Sequence, residues 1–480
     1  MPTELPIPLE NDQPGYYFPG FIPRIWKNRT LAFFDGVNLV HEGGGSCIPV
    51  SFSDLCSYVF NDDLLTFVES ILDLPFLDTA IEQGAIVFST PKGIPTALQI
   101  HGKKNKHHAT RWMIQSSAWQ QFTPDKQLLT RLRMLFNYCG VGTANTPGAL
   151  GLQLQKRALY EQYGDDVVMH RHPLPPYRCV EDIRAFSTGA RSDLLVETTQ
   201  MFDVVYELDM KIGYGAAFIE QPDGPAIAHQ GQFLEQYATY VSHCTIDILE
   251  PLPLGCFPVR LESGKETSIE YPTEPGRYET FLWKEEINLA LQMGCGALRG
   301  PGWGWLSMTR DNQRWVELMT QLRDNAPPEI VDWLKLAIVA GIGRHGCSWE
   351  SCFLVAEGEQ SEGDIEASWH GLAYDYYVHY GMLRIPEAMQ HWFSYTLMKC
   401  RLLLFQAALP FAIRGELLAT DTDGIYVSGN ANVDDIIEKS NAYGERAGTW
   451  RKTRLTNVQF PALRHLLSDQ KIKQPGVKKD

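Results

Sequence analysis

The chain has 480 residues and 44% of them are hydrophobic, which is enough for about two to four units with cores of their own. The 42 Lys and Arg against 57 Asp and Glu give a formal net charge of −15, which excludes a global positive field that would attract nucleic acid. The ten Cys form no CxxC pair, so we expect buried thiols in a reducing compartment rather than zinc sites or a disulfide framework.

The N-terminal part of the chain predicts an α/β domain. Residues 1–25 are rich in Pro and Gly and predict an irregular arm. Beyond them we expect strands over 31–35 and 85–88 and a helix over 62–74, arranged around a central sheet. The basic stretch 101–108 is typical of a solvated loop.

The remainder of the chain has a strand-rich stretch followed by helices. Residues 200–275 are strand-rich, and helices are expected over 284–293, 314–323 and 328–340. The clearest helical pattern runs over 386–405, and its apolar face is expected to pack in a core. We find no apolar run long enough to span a bilayer and no signal peptide, so we expect a cytoplasmic, intracellular protein with no membrane partner.

Three aspartates at strand ends are candidate metal ligands. Asp421 and Asp423 follow an apolar run, and Gly424 begins the next one, which predicts a β-hairpin with carboxylates at its tip. Asp209 ends another strand-like run over 202–209. Carboxylates suit Mg²⁺, which prefers oxygen ligands and often bridges a protein to substrate phosphates. The competing interpretation is a set of solvated turn acids, because Asp is common in turns.

A lysine on an apolar helix is a candidate phosphate contact. Lys335 is a single cation in an aliphatic stretch, and we expect its helix to stop in the glycine-rich turn that contains Gly341 and Gly343. A lysine can bind phosphate as a point charge. The competing interpretation is a lysine that extends its charge from a helix edge into solvent.

Taken in order, these segments resemble the motifs of family B DNA polymerases, over about residues 130–460. The matches are the template-contact segment (Arg184, Gly189, Arg191), the first palm motif (Asp209, Tyr214), the fingers motif (Lys335, Gly343) and the last palm motif (Asp421-Thr422-Asp423). Residues 255–300 resemble the small viral and plasmid members of the family, which are often protein-primed.

The resemblance implies a mixed α/β (α+β) fold, with a right-hand polymerase palm and fingers and an N-terminal RNase H-like exonuclease-type domain. The expected domains are an arm (1–25), a degenerate exonuclease-like domain (26–140), a first palm part (141–275), fingers (276–346), an insertion (347–383), a second palm part (384–460) and a basic tail (461–480).

The resemblance also implies template-directed DNA synthesis from deoxynucleoside triphosphates (dNTPs), with two Mg²⁺ ions, for which Mn²⁺ can substitute, held by Asp209 and by Asp421 and Asp423. The other implied contacts are Lys335, Tyr214 and Gly343 with the nucleotide, Arg184, Gly189 and Arg191 with the template, and Arg451 and Lys452 with the primer. The implied partners are a DNA template and primer, with a protein primer or a processivity factor as a further expectation, and the implied origin includes a virus or mobile element.

Departures from the family pattern alter these expectations. Val37 stands where the exonuclease motif has a second acid, so Asp35 lacks a metal-binding partner and we expect no proofreading. Gly424 replaces a Ser, and the 57 residues after Asp423 leave little room for a thumb. The remaining replacements lie in the first palm motif (Ile212, Gly213, Gly215) and in the fingers motif (Val339, Ala340, Ile342).

Two other classes of function stay open at the level of sequence. The first is a weak or inactive polymerase relative that serves as a nucleic-acid-binding or assembly subunit, which the altered motifs and the acidic charge favour. The second is a metal-dependent glycosyltransferase, in which an Asp-x-Asp turn holds a nucleotide-sugar. It explains Asp421 and Asp423 but leaves Asp209 and Lys335 without a role.

Overall fold

The computed structural model describes residues 29–90, 93–104, 107–119, 126–163, 172–196, 200–263, 266–346, 350–370, 375–382, 389–441, 447–460 and 478–479. The chain divides into two compact units. The first unit contains the described parts of Gly20–Asp165 and Gln321–Ala388, and the second contains those of Asp166–Thr320 and Met389–Asp480. The arm (1–25) and nearly all of the basic tail (461–480) lie outside the described residues.

The strands, in chain order, are β1 (Thr30–Phe34), β2 (Leu39–His41), β3 (Ser46–Cys47), β4 (Leu64–Val68), β5 (Ile86–Ser89), β6 (Pro95–Lys104), β7 (His107–Gln115), β8 (Ser192–Leu194), β9 (Gln200–Met210), β10 (Gln221–Asp223), β11 (Ile227–His229), β12 (Thr239–Ile248), β13 (Val259–Ser263), β14 (Glu266–Glu270), β15 (Gly276–Trp283), β16 (Gly296–Trp305), β17 (Ser307–Thr309), β18 (Glu350–Ala356), β19 (Ile365–His370), β20 (Asp375–Met382), β21 (Leu417–Asp421), β22 (Gly424–Ser428), β23 (Trp450–Phe460) and β24 (Lys478–Lys479).

The α-helices are α1 (Phe52–Asn61), α2 (Leu77–Glu82), α3 (Lys126–Cys139), α4 (Pro147–Tyr163), α5 (Tyr177–Phe186), α6 (Gly213–Phe218), α7 (Lys284–Gln292), α8 (Gln313–Asp324), α9 (Val331–His345), α10 (Gln390–Ile413) and α11 (Asp434–Asn441). Two short 3₁₀ helices span Ser116–Trp119 and Leu234–Gln236. The helices expected over 284–293 and 314–323 correspond to α7 and α8 and are confirmed.

The first unit is built on a ten-stranded sheet in the order β19-β20-β18-β5-β6-β7-β4-β1-β2-β3. Its centre is parallel, because β4 pairs in parallel with both β1 and β7, and the flanking pairs are antiparallel. The strands expected over 31–35 and 85–88 are confirmed as β1 and β5.

Two local expectations for the first unit are wrong. Residues 62–74 do not form a helix, because the uniformly buried run Leu64–Val68 is the central strand β4. Residues 101–104 and 107–108 are not a free loop, because they pair as the ends of the antiparallel strands β6 and β7. The apolar run over 62–74 was compatible with either a buried helix or a buried strand, whereas strand pairing overrode the loop-like composition of the basic stretch.

The segment expected as an insertion, 347–383, contributes three strands to the same ten-stranded sheet. β18 pairs with β5 and β20, and β20 pairs with β19. Leu354, Tyr376 and Val378 from these strands share one hydrophobic core with Ala32 and Phe34 of β1. The described part of this segment therefore belongs to the main sheet of the first unit.

Helix α9 packs tightly against α4 in the first unit. A Cβ atom added at Gly151 would collide with the carbonyl oxygen of Ala337 and with the Cα of Gly341. The helix does not stop in a turn at Gly341, as expected from the sequence, but continues to His345. The glycines serve close helix packing here, which offsets their intrinsic cost within a helix.

The second unit contains a six-stranded sheet, ordered β24-β23-β9-β22-β21-β8, and a four-stranded sheet, ordered β11-β16-β12-β15. Leu208 on β9, Ile425 on β22, Ile246 on β12 and Ile287 on α7 belong to a single hydrophobic core, which lies between these elements. The core positions the ends of β9, β21 and β22, where the predicted metal-binding aspartates lie.

Helix α10 crosses the core of the second unit. Leu404, Phe405 and Phe411 on α10 are packed in that core. By length and composition α10 is the one helix among the described residues that could cross a membrane, and 56% of its most apolar window is buried. The expectation that no apolar run is long enough to span a bilayer was therefore wrong. The extent to which α10 is buried is typical of a helix in a protein core.

The cysteines of the described residues are all free thiols, and most of them are buried. Burial raises the pKa of the Cys56 thiol to about 11 and that of Cys139 to about 12. These thiols are therefore protonated and unreactive at neutral pH.

Candidate active site

The predicted metal-binding aspartates lie on neighbouring strands of the six-stranded sheet. Gly424 pairs with Asp209 on one side and with Asp421 on the other. Arg451 on β23 pairs with Asp209, and Ser192 on β8 pairs with Asp421. These five residues form one continuous row across the sheet, which we call the acid row.

The carboxylates of the acid row face the same side of the sheet. Residues that pair directly in a ladder project their side chains to one face. With neighbouring strands about 4.8 Å apart, the Cα atoms of Asp209 and Asp421 are separated by about 10 Å. Gly424 lies between them and has no side chain, so the space between the two carboxylates is open on this face.

The two aspartates have different neighbours within the row. Nη2 of Arg451 lies 3.2 Å from Oδ2 of Asp209, and both side chains are close to half exposed. The Ser192 hydroxyl donates a longer hydrogen bond, of 3.5 Å, to Oδ1 of Asp421. Asp209 therefore has a cation among its neighbours, and Asp421 has a hydroxyl among its neighbours.

Negative charge is concentrated on this face of the sheet. The Tyr426 hydroxyl donates a hydrogen bond of 3.2 Å to Glu207, which precedes Asp209 by two residues and lies on the same face. Burial raises the pKa of Tyr426, and the carboxylates of Glu207, Asp421 and Asp209 raise it further. Glu207, Asp421 and Asp209 therefore concentrate negative charge near Tyr426.

Asp423 lies at the hairpin tip and connects it to β9 and α6. Thr422 adopts a left-handed conformation, with φ of 55°, and its hydroxyl donates a hydrogen bond of 3.1 Å to Oδ1 of Asp423. The amide of Met210 donates to the carbonyl oxygen of Asp423 at 3.0 Å. A Cβ atom added at Gly213 would lie 2.9 Å from the Cβ of Asp423. The absence of a side chain at Gly213 therefore permits this contact.

Tyr214 is brought close to the same acids by α6. Ile212, which precedes this helix, is held at a φ of 51°, an uncommon conformation for a β-branched residue. Burial raises the pKa of Tyr214, and Cys400, Asp423 and Asp421 contribute in the same direction. The second unit thus brings Tyr214 close to Asp421 and Asp423.

The donor chemistry of the acid row fits a hard divalent cation that also binds substrate. No group of three or more His, Cys, Asp or Glu that could hold a metal ion by itself occurs within the described residues. Mg²⁺ is usually held by one or two carboxylates together with waters and substrate phosphates, rather than by an all-protein cage. Asp209 and Asp421 meet that requirement.

The structure corrects the predicted template contact of Arg191. Its side chain is 2% exposed, Nε donates to Asp193 at 2.5 Å and Nη1 donates to the carbonyl oxygen of Gly255 at 2.7 Å. The guanidinium also stacks on the Tyr271 ring, at 4.2 Å from its centroid. Arg191 is therefore a buried structural residue and does not present its charge to a template phosphate.

The rest of the template-contact segment is held by a buried ion pair. Arg401 on α10 lies 2.7 Å from Glu286 on α7, and the two side chains are 6% and 2% exposed. Nη1 of Arg401 donates to the carbonyl oxygens of Thr188 and Gly189, at 2.9 and 2.7 Å. Arg184 lies in the last turn of α5, just before this segment.

Lys335 and Gly343 lie on one face of α9, in the first unit. Lys335 and Val339 are exposed, and Gly343 follows them at helical spacing. This face of α9 therefore carries the positive charge of Lys335, the apolar side chain of Val339 and the small residue Gly343.

The two basic residues predicted to contact a primer have different environments. Arg451 lies in the acid row. Lys452 pairs with Asp434 at 2.7 Å and lies over the Tyr206 ring, at 5.2 Å from its centroid. Because Lys452 is adjacent in sequence to Arg451 on a strand, it projects to the opposite face of the sheet.

Asp35, the predicted remnant of an exonuclease site, closes a turn after β1. Its Oδ1 accepts hydrogen bonds from the amides of Val37 and Asn38, at 2.8 and 2.6 Å, and Oδ2 accepts one from the Asn38 side chain at 3.0 Å. Burial opposes ionisation, but these hydrogen bonds outweigh it and lower the pKa of Asp35.

Sequence reasoning missed three residues that the structure places at the site. Ser192 contacts Asp421, Gly213 permits the close approach of Asp423, and Arg401 secures the segment before β8. Gly213 was noted only as a departure from a motif. Ser192 and Arg401 have no local signal, because their partners are more than 100 residues away in the sequence.

Comparison with solved structures finds the fold of this chain in a DNA polymerase. Phi29 DNA polymerase in an orthorhombic crystal form matches with a TM-score of 0.63 and 12% identity, covering 89% of this chain and 86% of that one. Its ternary complex with primer-template DNA and incoming nucleotide substrates matches with a TM-score of 0.66 and 12% identity, covering 90% and 86%. No family model matches the chain, and no curated protein matches it in sequence. The comparison confirms the predicted fold class.

Proposed function

We propose that this chain is a template-directed DNA polymerase that adds nucleotides from dNTPs to a primer, with Mg²⁺ or Mn²⁺ held by Asp209 and Asp421. The observation that carries the proposal is the acid row, in which two carboxylates from distant segments face one side of a sheet with an open position between them. The fold, shared with a DNA polymerase, supports it.

The residues of the second unit have separate roles in this proposal. Two divalent cations, when bound, would lower the pKa of a primer hydroxyl and neutralise charge on the leaving pyrophosphate, respectively. Asp209 and Asp421 would hold them, and Asp423 orients the hairpin tip and assists. Tyr214, whose hydroxyl is protonated because burial raises its pKa, contacts the sugar of the incoming nucleotide.

Charged and small residues elsewhere bind the substrates. Lys335 contacts the triphosphate and stabilises its developing charge, and Gly343 on the same helix face leaves room for the nucleotide. Arg184 and the backbone of Gly189 contact the template strand, which positions it without reading its sequence. A protein primer or a processivity factor is a further partner in this proposal.

Asp35 does not support an editing activity. Its carboxylate is occupied by its own turn, and Val37 supplies no second acid. We therefore propose that the polymerase lacks proofreading.

An inactive nucleic-acid-binding relative is the second candidate, and one observation favours it. The predicted template contact Arg191 is buried. The glycosyltransferase alternative accounts for Asp421 and Asp423 alone and gains no support from the fold.

Primer extension tests the proposal. We expect the native chain to extend a primed DNA template with Mg²⁺ or Mn²⁺, and Asp421→Asn to lose extension by a factor of at least about 100. Asp435→Asn, which removes an exposed acid on α11, is the matched control and should retain activity. Undiminished extension by Asp421→Asn would contradict the proposal. Absence of extension by the native chain, with binding of primed DNA retained, would establish the inactive relative.

A further inference from the structure

Arg451, predicted from the sequence to contact a primer, lies beside Asp209, and neither that role nor its local sequence explains this position. It pairs directly with Asp209 in the sheet, and its Nη2 lies 3.2 Å from the Asp209 carboxylate. Asp421, at the other side of the row, has the neutral Ser192 as its neighbour. One of the two proposed cation ligands therefore already has a counter-ion supplied by the protein.

A guanidinium and a divalent cation compete for the same carboxylate oxygens. Arginine stays charged at any working pH, so this competition does not vanish by deprotonation. The side chains of Arg451 and Asp209 are 46% and 44% exposed, and exposed ion pairs are weak. The competition therefore amounts to about two- to five-fold in cation affinity.

An anionic strand offers Arg451 an alternative partner. A guanidinium binds a phosphodiester through paired hydrogen bonds that resemble those it makes with a carboxylate. Because Arg451 is exposed, its side chain can exchange one partner for the other without unfolding the sheet. Lys452 pairs with Asp434 on the opposite face of the sheet and so does not contact Asp209.

We propose that Arg451 is a positioning residue that couples strand binding to cation binding. It holds Asp209 in place in the free protein, and a phosphate of a bound nucleic-acid strand draws its guanidinium away and releases the carboxylate for a divalent cation. This inference rests on the proposed cation site at Asp209. By linkage, the strand strengthens cation binding and the cation strengthens strand binding by the same factor.

Cation affinity tests this coupling without any measurement of catalysis. Mn²⁺ serves as the probe, and its free concentration is measured by electron paramagnetic resonance with the full chain, with and without a primed DNA oligonucleotide. We expect Arg451→Gln to bind Mn²⁺ about two- to five-fold more tightly than the native chain without DNA, and to gain correspondingly less affinity when DNA is added.

Matched variants separate this coupling from a general charge effect. Arg454→Gln removes the same charge from the same strand on the opposite face, and it should leave the Mn²⁺ affinity within error of the native value. Arg451→Lys keeps a positive charge, so its Mn²⁺ affinity should lie between those of the native chain and Arg451→Gln. Asp209→Asn removes the carboxylate for which Arg451 and Mn²⁺ compete. Thermal unfolding of each variant checks that the fold is intact.

Each outcome decides the inference. Unchanged or weaker Mn²⁺ binding by Arg451→Gln without DNA would overturn it, and so would an equal gain by Arg454→Gln. Mn²⁺ binding that does not depend on Asp209 would overturn both the coupling and the cation site. If the coupling is observed but the native chain fails to extend primers, the proposed role of Arg451 stands and only the polymerase proposal is refuted.

Discussion

Asp35 in the first unit and Asp209 in the second are both acids at the ends of central strands, but the fold uses them in opposite ways. The Asp35 carboxylate accepts hydrogen bonds from the backbone and side chain of its own turn. The Asp209 carboxylate has as its neighbour a side chain from another strand, and an open glycine position lies between it and Asp421.

The difference shows what makes a strand-end acid available for chemistry. Backbone donors within a turn cannot leave without breaking the turn, so they fix the carboxylate. Side-chain neighbours on adjacent strands can rotate away, so the carboxylate stays exchangeable. Whether a strand-end carboxylate can bind a ligand therefore depends on whether its hydrogen-bond donors belong to its own turn or to side chains of other strands.

The largest expected effect comes from the buried ion pair that supports the acid row. We expect Arg401→Met to destabilise the protein by about 3–5 kcal/mol, because Glu286 would be left as an uncompensated buried charge. Arg133→Met in the first unit removes a half-buried pair with Glu42 and should cost less. Urea unfolding measures both.

Equal destabilisation by Arg401→Met and Arg133→Met would contradict the expectation that the buried Arg401–Glu286 pair contributes more to stability than the Arg133–Glu42 pair. Glu286→Gln provides a second measurement from the other partner. If Arg401→Met fails to fold at all, Glu286→Gln gives the comparison with Arg133→Met.

Closing the gap between the carboxylates should have the next largest effect. We expect Gly424→Val to reduce primer extension about 100-fold, because a side chain in the row displaces the groups that hold the cation and substrate. A Cβ atom at Gly424 makes only ordinary contacts, the nearest at 3.5 Å, so the fold should tolerate the change. Gly296→Val on β16, where contacts are also ordinary, is the control. Equal losses in both variants would show that the gap has no special role.

Removing the Asp35 charge should affect stability without affecting extension. We expect Asp35→Asn to lose about 1 kcal/mol, because the turn loses a charged acceptor. Chemical denaturation and primer extension on the same sample test both parts of the expectation. A loss of extension comparable to that of Asp421→Asn would refute the contrast between the two units.

The smallest expected effect is the pH dependence of that same turn. The pKa of Asp35 is lowered in the folded protein, so its contribution to stability is present above the unfolded value of about 3.9 and is lost as the pH falls through the folded pKa. The stability difference between the native chain and Asp35→Asn should therefore shrink below about pH 4. A difference that grows on acidification would contradict this assignment.

Much of the secondary structure could be predicted from local patterns. The strands at β1 and β5 and the helices α7 and α8 follow from apolar periodicity. The error over 62–74 arose because a short buried strand and a buried helical segment have similar compositions. The end of α9 was misplaced because its glycines pack against α4, a partner that no local pattern reveals.

By itself, the sequence determined which acids terminate strands and which basic residues lie near them in the chain. It indicated Asp209, Asp421 and Asp423, whose flanking strand residues are local signals. The tertiary structure decided that Arg191 is buried in the fold, whereas Arg451 lies beside Asp209. The physical reason is that sheet pairing places residues about 4.8 Å apart whatever their separation in sequence, so the acid row exists only once β8, β9, β21, β22 and β23 have paired.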